Sequence, residues 1–271
     1  MTDPRPACAL TIAGSDSGGG AGIQADLKTF AAHRVHGLSA IAALTAQHTR
    51  GVTAVEVPTL AFLRAQIDAC FDDFNVQAVK LGMLATAEVI HAVADALEHH
   101  RPPHRVLDPV MVATSGARLL QPDALDAMRQ RLLPLATVVT PNLPEASLLL
   151  ERSIETPEAM RDACARFLDG GVQAVLLKGG HLPLHSAPDS IIDLLADAGG
   201  VHEIRHPRLQ LEAHGTGCTL ASAVAAGLAL GKALVPACQE AADYVHRALV
   251  KGYRPGKGAV IVLDHFGAAV E

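Results

Sequence analysis

Tryptophan is missing from this chain, and aromatic residues make up only 3% of its 271 positions. A core of ordinary size therefore has to be filled by Ala, Val, Leu and Ile, which make up most of a 49% hydrophobic content. That is the usual filling of a parallel sheet covered by helices on both faces. Basic clusters are also missing. With a net charge of −6 and no run of Lys or Arg, the chain lacks the electrostatic footprint of a nucleic-acid binder. The five cysteines, Cys8, Cys70, Cys164, Cys218 and Cys238, are odd in number and form no C-x-x-C pair, so a disulfide framework is not expected. A reduced, cytoplasmic setting is expected instead. The fourteen histidines show no H-E-x-x-H or similar ligand spacing, which speaks against structural zinc. No apolar run is long enough to cross a bilayer. Met1–Cys8, with two prolines and two charges, does not read as a signal peptide.

What is present is an alternation of apolar strand-like runs with helical ones. Cys8–Ala13 reads as a strand and Ile23–Arg34 as the helix after it; Ser39–Ala46 is a second apolar run. Val52–Val57 alternates like a strand and is closed by Pro58, and Leu60–Phe71 carries apolar residues at helical spacing. Ala78–Lys80, Arg105–Leu107, Thr137–Thr140 and Ala174–Leu177 read as strands, with helices over Glu88–Leu97 and Ala124–Leu133. Ser190–Leu195 and Val201–Arg205 flank an Ala-Gly-Gly turn and read as an antiparallel hairpin at a sheet edge. The pattern implies an α/β fold of three layers, α/β/α, with a mostly parallel central sheet. No linker or repeat interrupts it, so residues 1–271 are expected to form a single domain.

Ligands of open α/β sheets gather at the carboxyl ends of the strands. Gly14–Gly22, Gln47, Gly82, Asp108, Asn142 and Lys178–Gly180 all fall at such ends. The most telling segment is His214–Leu220, H-G-T-G-C-T-L, which runs directly into an Ala/Leu-rich helical stretch. Gly215, Thr216 and Gly217 can turn the backbone so that its N–H groups converge at a helix N-terminus, where anions bind. Cys218 would stand at the mouth of that seat, where a thiol tends to acidify. The alternative is a loop tightened by two glycines, with Cys218 filling an apolar gap. The glycine-rich stretch after the first strand does not fit G-x-G-x-x-G, and no Walker A motif occurs, so a dinucleotide fold is disfavoured. Asp26, early in the following helix, reads either as a ligand group or as a solvated acid or a charge suited to the helix dipole. Gln47 could donate and accept side by side, as a heteroaromatic edge requires. Lys178 suits a phosphate, and Asp108 and Glu145 could hold water or Mg²⁺.

Together these segments resemble the hydroxymethylpyrimidine/phosphomethylpyrimidine kinases of thiamine biosynthesis, within the ribokinase-like superfamily. The resemblance rests on A-L-T-I-A-G-S-D-S-G-G-G-A-G-I-Q-A-D-L-K-T (9–29), T-A-Q-H-T-R-G-V (45–52), K-L-G-M-L (80–84), L-D-P-V-M-V (107–112), T-P-N-L-P-E-A (140–146), L-K-G-G-H (177–181) and H-G-T-G-C-T-L (214–220). Cys218 itself marks this group, because the wider superfamily usually carries Asp in that place. The resemblance implies ATP- and Mg²⁺-dependent phosphorylation of 4-amino-5-hydroxymethyl-2-methylpyrimidine and of its monophosphate. It implies a ring site of Gly14, Asp26, Gln47, Met83 and Val110, with Asp26 and Gln47 bonded to the polar edge. Asn142, Glu145 and Lys178 would serve the nucleotide, Asp108 and Glu145 the metal, and Gly215–Cys218 the moving phosphoryl group, with Cys218 as a possible base. A homodimer is implied as well. Pyridoxal kinase is the alternative on the same scaffold, and a non-catalytic pyrimidine or nucleotide sensor is a third reading. Two positions depart from the family pattern: His48 stands where Asn is usual, and Thr114 where Lys is common.

Overall fold

The computed structural model describes residues 5–112, 116, 119–183 and 189–269. Along the chain, β1 (Cys8–Asp16) leads into α1 (Gly22–Ala32), and β2 (His36–His48) turns back into β3 (Gly51–Glu56). Then α2 (Leu60–Asp73), β4 (Val76–Leu81), α3 (Ala87–His100) and β5 (His104–Leu107) alternate. After α4 (Ala124–Ala127) come β6 (Val138–Val139), α5 (Leu143–Leu150), α6 (Pro157–Asp169) and β7 (Ala174–Leu177). The hairpin β8 (Ser190–Asp197) and β9 (Gly200–Pro207) follows. The chain closes with β10 (Ala213–His214), α7 (Thr216–Ala229), α8 (Leu234–Val250) and β11 (Ile261–Val262).

Nine strands form one sheet in the order β3-β2-β1-β4-β5-β6-β7-β8-β9. The six central strands, β2 to β7, are mutually parallel. Both margins are antiparallel: β3 on β2 at one side, β8 and β9 at the other. The sequence expectation of a mostly parallel sheet with a hairpin at its edge is met, and a second antiparallel strand closes the opposite edge. Strand side chains alternate between the faces. Val79, Leu107, Val175 and Leu177 pack with Leu63, Ile90, Leu149 and Phe167 of α2, α3, α5 and α6. Ala78, Val106, Ala174 and Leu176 pack on the opposite layer with Phe30, Val224 and Tyr244 of α1, α7 and α8. These are the two outer layers of an α/β/α fold.

Helix α7 is buried from Thr219 to Ala229, between the sheet and α8. Its Ala, Gly and Ser side chains are what such close approach allows, and this packing fixes where its N-terminus points. The helix expected over Ala124–Leu133 is present but irregular. One turn of α4 passes into a π turn over Met128–Leu132 and a 3₁₀ turn over Leu133–Leu135. Pro134 has no N–H to donate to the preceding turn, so the regular ladder of hydrogen bonds cannot continue there, although Leu133 keeps helical dihedrals.

Candidate active site

The carboxyl ends of the parallel strands and the N-terminus of α7 enclose a cavity of about 690 Å³. That is the size range of small-molecule sites. Gly14 at the end of β1, Gln47 on β2, Met83 after β4 and Val110 after β5 line one part of it. Asp108, Asn142, Glu145 and Lys178 line another, and Gly215, Thr216, Gly217 and Cys218 lie between. Strand ends as far apart in sequence as Gly14 and Lys178 are thus brought to one wall because the parallel strands all point the same way.

The turn before α7 does what its glycines suggested. Gly215 caps the helix with φ 86°, a left-handed conformation, and its carbonyl accepts the first helical bond from the Thr219 N–H at 2.9 Å. The opening N–H groups of α7 have no partner one turn back, so they face the cavity as donors. Lys178 ends β7 beside them. Its Nζ is 3.1 Å from Asp108 Oδ1 and 4.0 Å from Glu145 Oε2. Burial works against the ammonium, but the two carboxylates outweigh it and raise the pKa of Lys178. Burial pushes Glu145 the other way, to about 7, with Asp108 adding to the rise and Lys178 opposing it.

Asn142 and Glu145 are also a capping box. The Asn142 side chain accepts from the Glu145 N–H at 2.9 Å, and Glu145 Oε2 accepts from the Asn142 N–H at 2.8 Å. Pro144 in the first helical turn costs nothing there, because its missing N–H would be unpaired anyway. The same residues that start α5 therefore hold a carboxylate at the cavity wall.

Two expectations need correction. Asp26 does not line the cavity. It is fully buried on α1, where it accepts from Thr11 Oγ1 at 2.6 Å, Ser222 Oγ at 2.7 Å and Lys80 Nζ at 3.0 and 2.9 Å. Both oxygens are engaged by these side chains, and Asp26 supports Lys80, which does line the cavity. Neither a ligand group nor a solvated acid describes it. Cys218 lines the cavity as expected, but its thiol is not acidified. Burial pushes it up to about 11, only partly offset by the positive charge of Lys80 and a bond from the Gly22 N–H.

Lys80, Asp16, His214 and Asp193 also line the cavity and received no role from the sequence. Lys80 interrupts the apolar strand V-Q-A-V-K-L, and a charge in the middle of a buried strand is the signal that could have found it. Asp193 Oδ1 accepts the Gly179 N–H at 2.7 Å and so holds the Gly179-Gly180 turn from the neighbouring strand. Of the two departures, His48 is exposed, outside the cavity lining, with its ring nitrogen accepting from the Arg50 N–H. Thr114 lies outside the described residues.

A helix N-terminus with unpaired N–H groups, a lysine held by two carboxylates and a cavity at the strand ends are what phosphoryl transfer to a small molecule needs. On this sheet, they define a small-molecule kinase of ribokinase-like fold. Residues 16–263 match the family model described as phosphomethylpyrimidine kinase, and the chain belongs to that family. It is 52% identical over 247 residues to the hydroxymethylpyrimidine/phosphomethylpyrimidine kinase of Rhizobium meliloti, covering 90% of each chain. It is 48% identical over 271 residues to that of Streptomyces coelicolor, covering 98% of each. Among solved structures, the pyridoxal kinase of Staphylococcus aureus in complex with AMP-PCP and pyridoxal superimposes with a TM-score of 0.87 at 33% identity, over 97% of this chain and 94% of that one. No described helix is long and apolar enough to cross a membrane.

Proposed function

We propose that this enzyme transfers the γ-phosphoryl group of ATP to 4-amino-5-hydroxymethyl-2-methylpyrimidine and then phosphorylates the monophosphate to the diphosphate. The observation that carries the reading is the cavity that Gln47 and Met83 line together with Gly215–Cys218 and Lys178. The pyrimidine lies among Gly14, Gln47, Met83 and Val110, with Gln47 reading its polar edge and the hydroxymethyl group turned toward α7. The N–H groups of the Gly215–Cys218 turn take the charge that gathers on the moving phosphoryl, and Lys178 neutralises the phosphates. Phosphoryl transfer asks for little more than such positioning and stabilisation.

Among the described residues, no cluster of three or more His, Cys, Asp or Glu could hold a metal by itself. Mg²⁺ arriving with a triphosphate needs only one or two carboxylates, because phosphate and water complete its shell. Asp108 and Glu145 fit that demand: hard oxygen donors beside Lys178, with Glu145 held near neutrality by burial. Bound there, Mg²⁺ would neutralise charge on the transferring phosphates. Asn142 holds Glu145 in place through the capping box.

Cys218 stays protonated in the unliganded protein. Its part is to close the anion seat beside the substrate hydroxyl, and a role as base would need the thiol to lose its proton to the incoming phosphates. The chain acts as one domain, in the cytoplasm, and as a homodimer. The exposed apolar residues Leu44, Val55 and Phe62, on the β2–β3 hairpin and at the start of α2, support the dimer.

Incubation of the purified protein with the pyrimidine alcohol, ATP and Mg²⁺, with products identified by mass, tests the reaction. Monophosphate followed by diphosphate is expected. A kcat/KM that favours pyridoxal over the pyrimidine would make this a pyridoxal kinase, and no ATP turnover with either alcohol would leave only a sensor.

A further inference from the structure

The amide of Gln47 is held between two side chains. Its Nε2 is 2.9 Å from His214 Nε2, and its Oε1 is 3.1 Å from Thr45 Oγ1. His214 Nε2 is also 3.1 Å from Asp16 Oδ2. That oxygen accepts from the N–H groups of Gly20 and Ala21 at 3.0 and 2.9 Å, and Oδ1 accepts from Gly18 at 2.8 Å. Burial pushes Asp16 up, but His214 and these backbone donors outweigh it and hold it below the usual carboxylate range. Asp16 is therefore an acceptor only, and the imidazole nitrogen facing it carries the proton. Whatever lies 2.9 Å from that same nitrogen must then be an acceptor too.

The other side of the amide points the same way. The Thr45 hydroxyl has one proton for two acceptors, the Ser15 carbonyl at 2.9 Å and Gln47 Oε1 at 3.1 Å, and the shorter contact takes it. Its second neighbour must therefore be a donor. The oxygen and nitrogen of a side-chain amide are assigned by their partners. A half-turn of the Gln47 amide satisfies both sides at once: the carbonyl oxygen then shares the His214 proton with Asp16, and the NH₂ donates to Thr45.

We propose that His214 is a positioning residue, backed by Asp16 and matched by Thr45, that locks the Gln47 carbonyl on its own side and so selects rings with an exocyclic donor beside a ring acceptor. The inference rests on the reading of Gln47 as the residue that meets the ring's edge. A primary amide presents one acceptor and one donor side by side. An aminopyrimidine edge supplies the complementary pair. A 4-oxo pyrimidine presents the reverse order, an exocyclic acceptor beside a ring N–H. It cannot turn over to match, because its hydroxymethyl group must still face the phosphoryl seat. Accepting it requires Gln47 to rotate and leave both His214 and Thr45 facing the wrong atom.

The test compares kcat/KM for 4-amino-5-hydroxymethyl-2-methylpyrimidine and its 4-oxo counterpart in the wild type, His214→Phe, His214→Gln and Thr45→Val. His214→Phe and Thr45→Val should each lower the amino-to-oxo ratio by roughly tenfold or more, since the wrong ring no longer breaks a fixed pair. His214→Gln should restore it, because its terminal NH₂ reaches the same place with protons for both Asp16 and Gln47. An unchanged ratio in both of the first variants overturns the proposal. A second readout needs no substrate. In glutamine-¹⁵N-labelled protein, with the Gln47 amide signal identified by its loss in Gln47→Glu, Thr45→Val should move the amide protons upfield and Thr45→Ser should not. Amide protons indifferent to Thr45→Val would place the oxygen there and overturn the lock. A wild type inert toward the amino alcohol would sink the proposed reaction instead, and the spectrum would still decide the orientation.

Discussion

Lys80 donates to both carboxylate oxygens of Asp26, at 3.0 and 2.9 Å, and neither side chain reaches solvent. Burial opposes the ammonium, yet the Asp26 carboxylate holds the pKa of Lys80 above the ordinary lysine range. Lys80 lines the cavity, Asp26 lies behind it, and the pair is tied through Ser222 to α7, one turn beyond Cys218. Lys80→Met should cost about 3–5 kcal/mol, the usual penalty for leaving a buried charge alone. Lys80→Met/Asp26→Asn should be less destabilised than Lys80→Met alone. Urea denaturation of the single and double variants measures both, and additive losses would show that the two side chains are not coupled.

Cys218 should react slowly with iodoacetamide at neutral pH and faster as the pH rises toward about 11, the value to which burial lifts its thiol. Peptide mapping by mass would follow that one site. Modification with a midpoint near 7 would restore the acidified thiol that the sequence suggested. Cys218→Ala should lower kcat at least about a hundredfold if the thiol handles the substrate proton. The KM for the pyrimidine should change little, and unchanged turnover would remove Cys218 from the mechanism.

Two glycines three positions from the thiol or closer should fail in different ways. A Cβ on Gly215 would stand 1.9 Å from the Gly20 carbonyl oxygen, at a φ that side chains rarely adopt, so Gly215→Ala should lower Tm and activity together. A Cβ on Gly217 would stand 3.1 Å from Lys178 Nζ and 3.4 Å from Asp108 Oδ2. The lysine end can move aside, so Gly217→Ala should keep its Tm but lose roughly tenfold in kcat through misplacement of the ammonium. Thermal melts and initial rates on the same preparations separate the two.

Asp193 is buried, and burial raises its pKa to about 6 against the opposing effects of the Gly179 N–H and Lys178. An acid with a raised folded pKa binds its proton more tightly in the native state. Its contribution to stability is therefore complete below the unfolded value and is lost as pH rises through about 6. Asp193→Asn removes that dependence while keeping an oxygen for Gly179. Relative to the wild type, the variant should gain on the order of 1–3 kcal/mol between pH 4 and pH 7.5. A constant difference across that range would show that Asp193 does not titrate in the folded protein.

Much of the fold was legible from residue order alone, because the relevant forces are local. Apolar runs such as Ala174–Leu177, stopped by Gly179-Gly180, could only be buried strands, and the Ser190–Arg205 segment could only fold back at an edge. The Thr-Val-Val-Thr run before Pro141-Asn142 likewise announced β6, whereas the helix α5 that Asn142 caps was not read from the sequence. Pro134 carried the signal that the Ala124–Leu133 helix would lose its regular ladder, and the apolar periodicity around it hid that signal.

Most of the candidate site was legible too, since Gly14, Gln47, Met83, Asp108, Val110, Asn142, Glu145, Lys178 and Gly215–Cys218 do share one cavity. Their residue types and positions at strand ends were enough. Which of the flagged groups face a ligand was decided only by tertiary packing. Asp26 and Lys80 are 54 positions apart, and nothing local says that they pair with each other at the cavity wall. The thiol of Cys218 depends in the same way on how deeply α7 is packed and on charges delivered by other strands. Chain order specifies donors, acceptors and turns through nearest neighbours; desolvation and ion pairing are sums over the whole surrounding volume, and that volume exists only once the layers have closed.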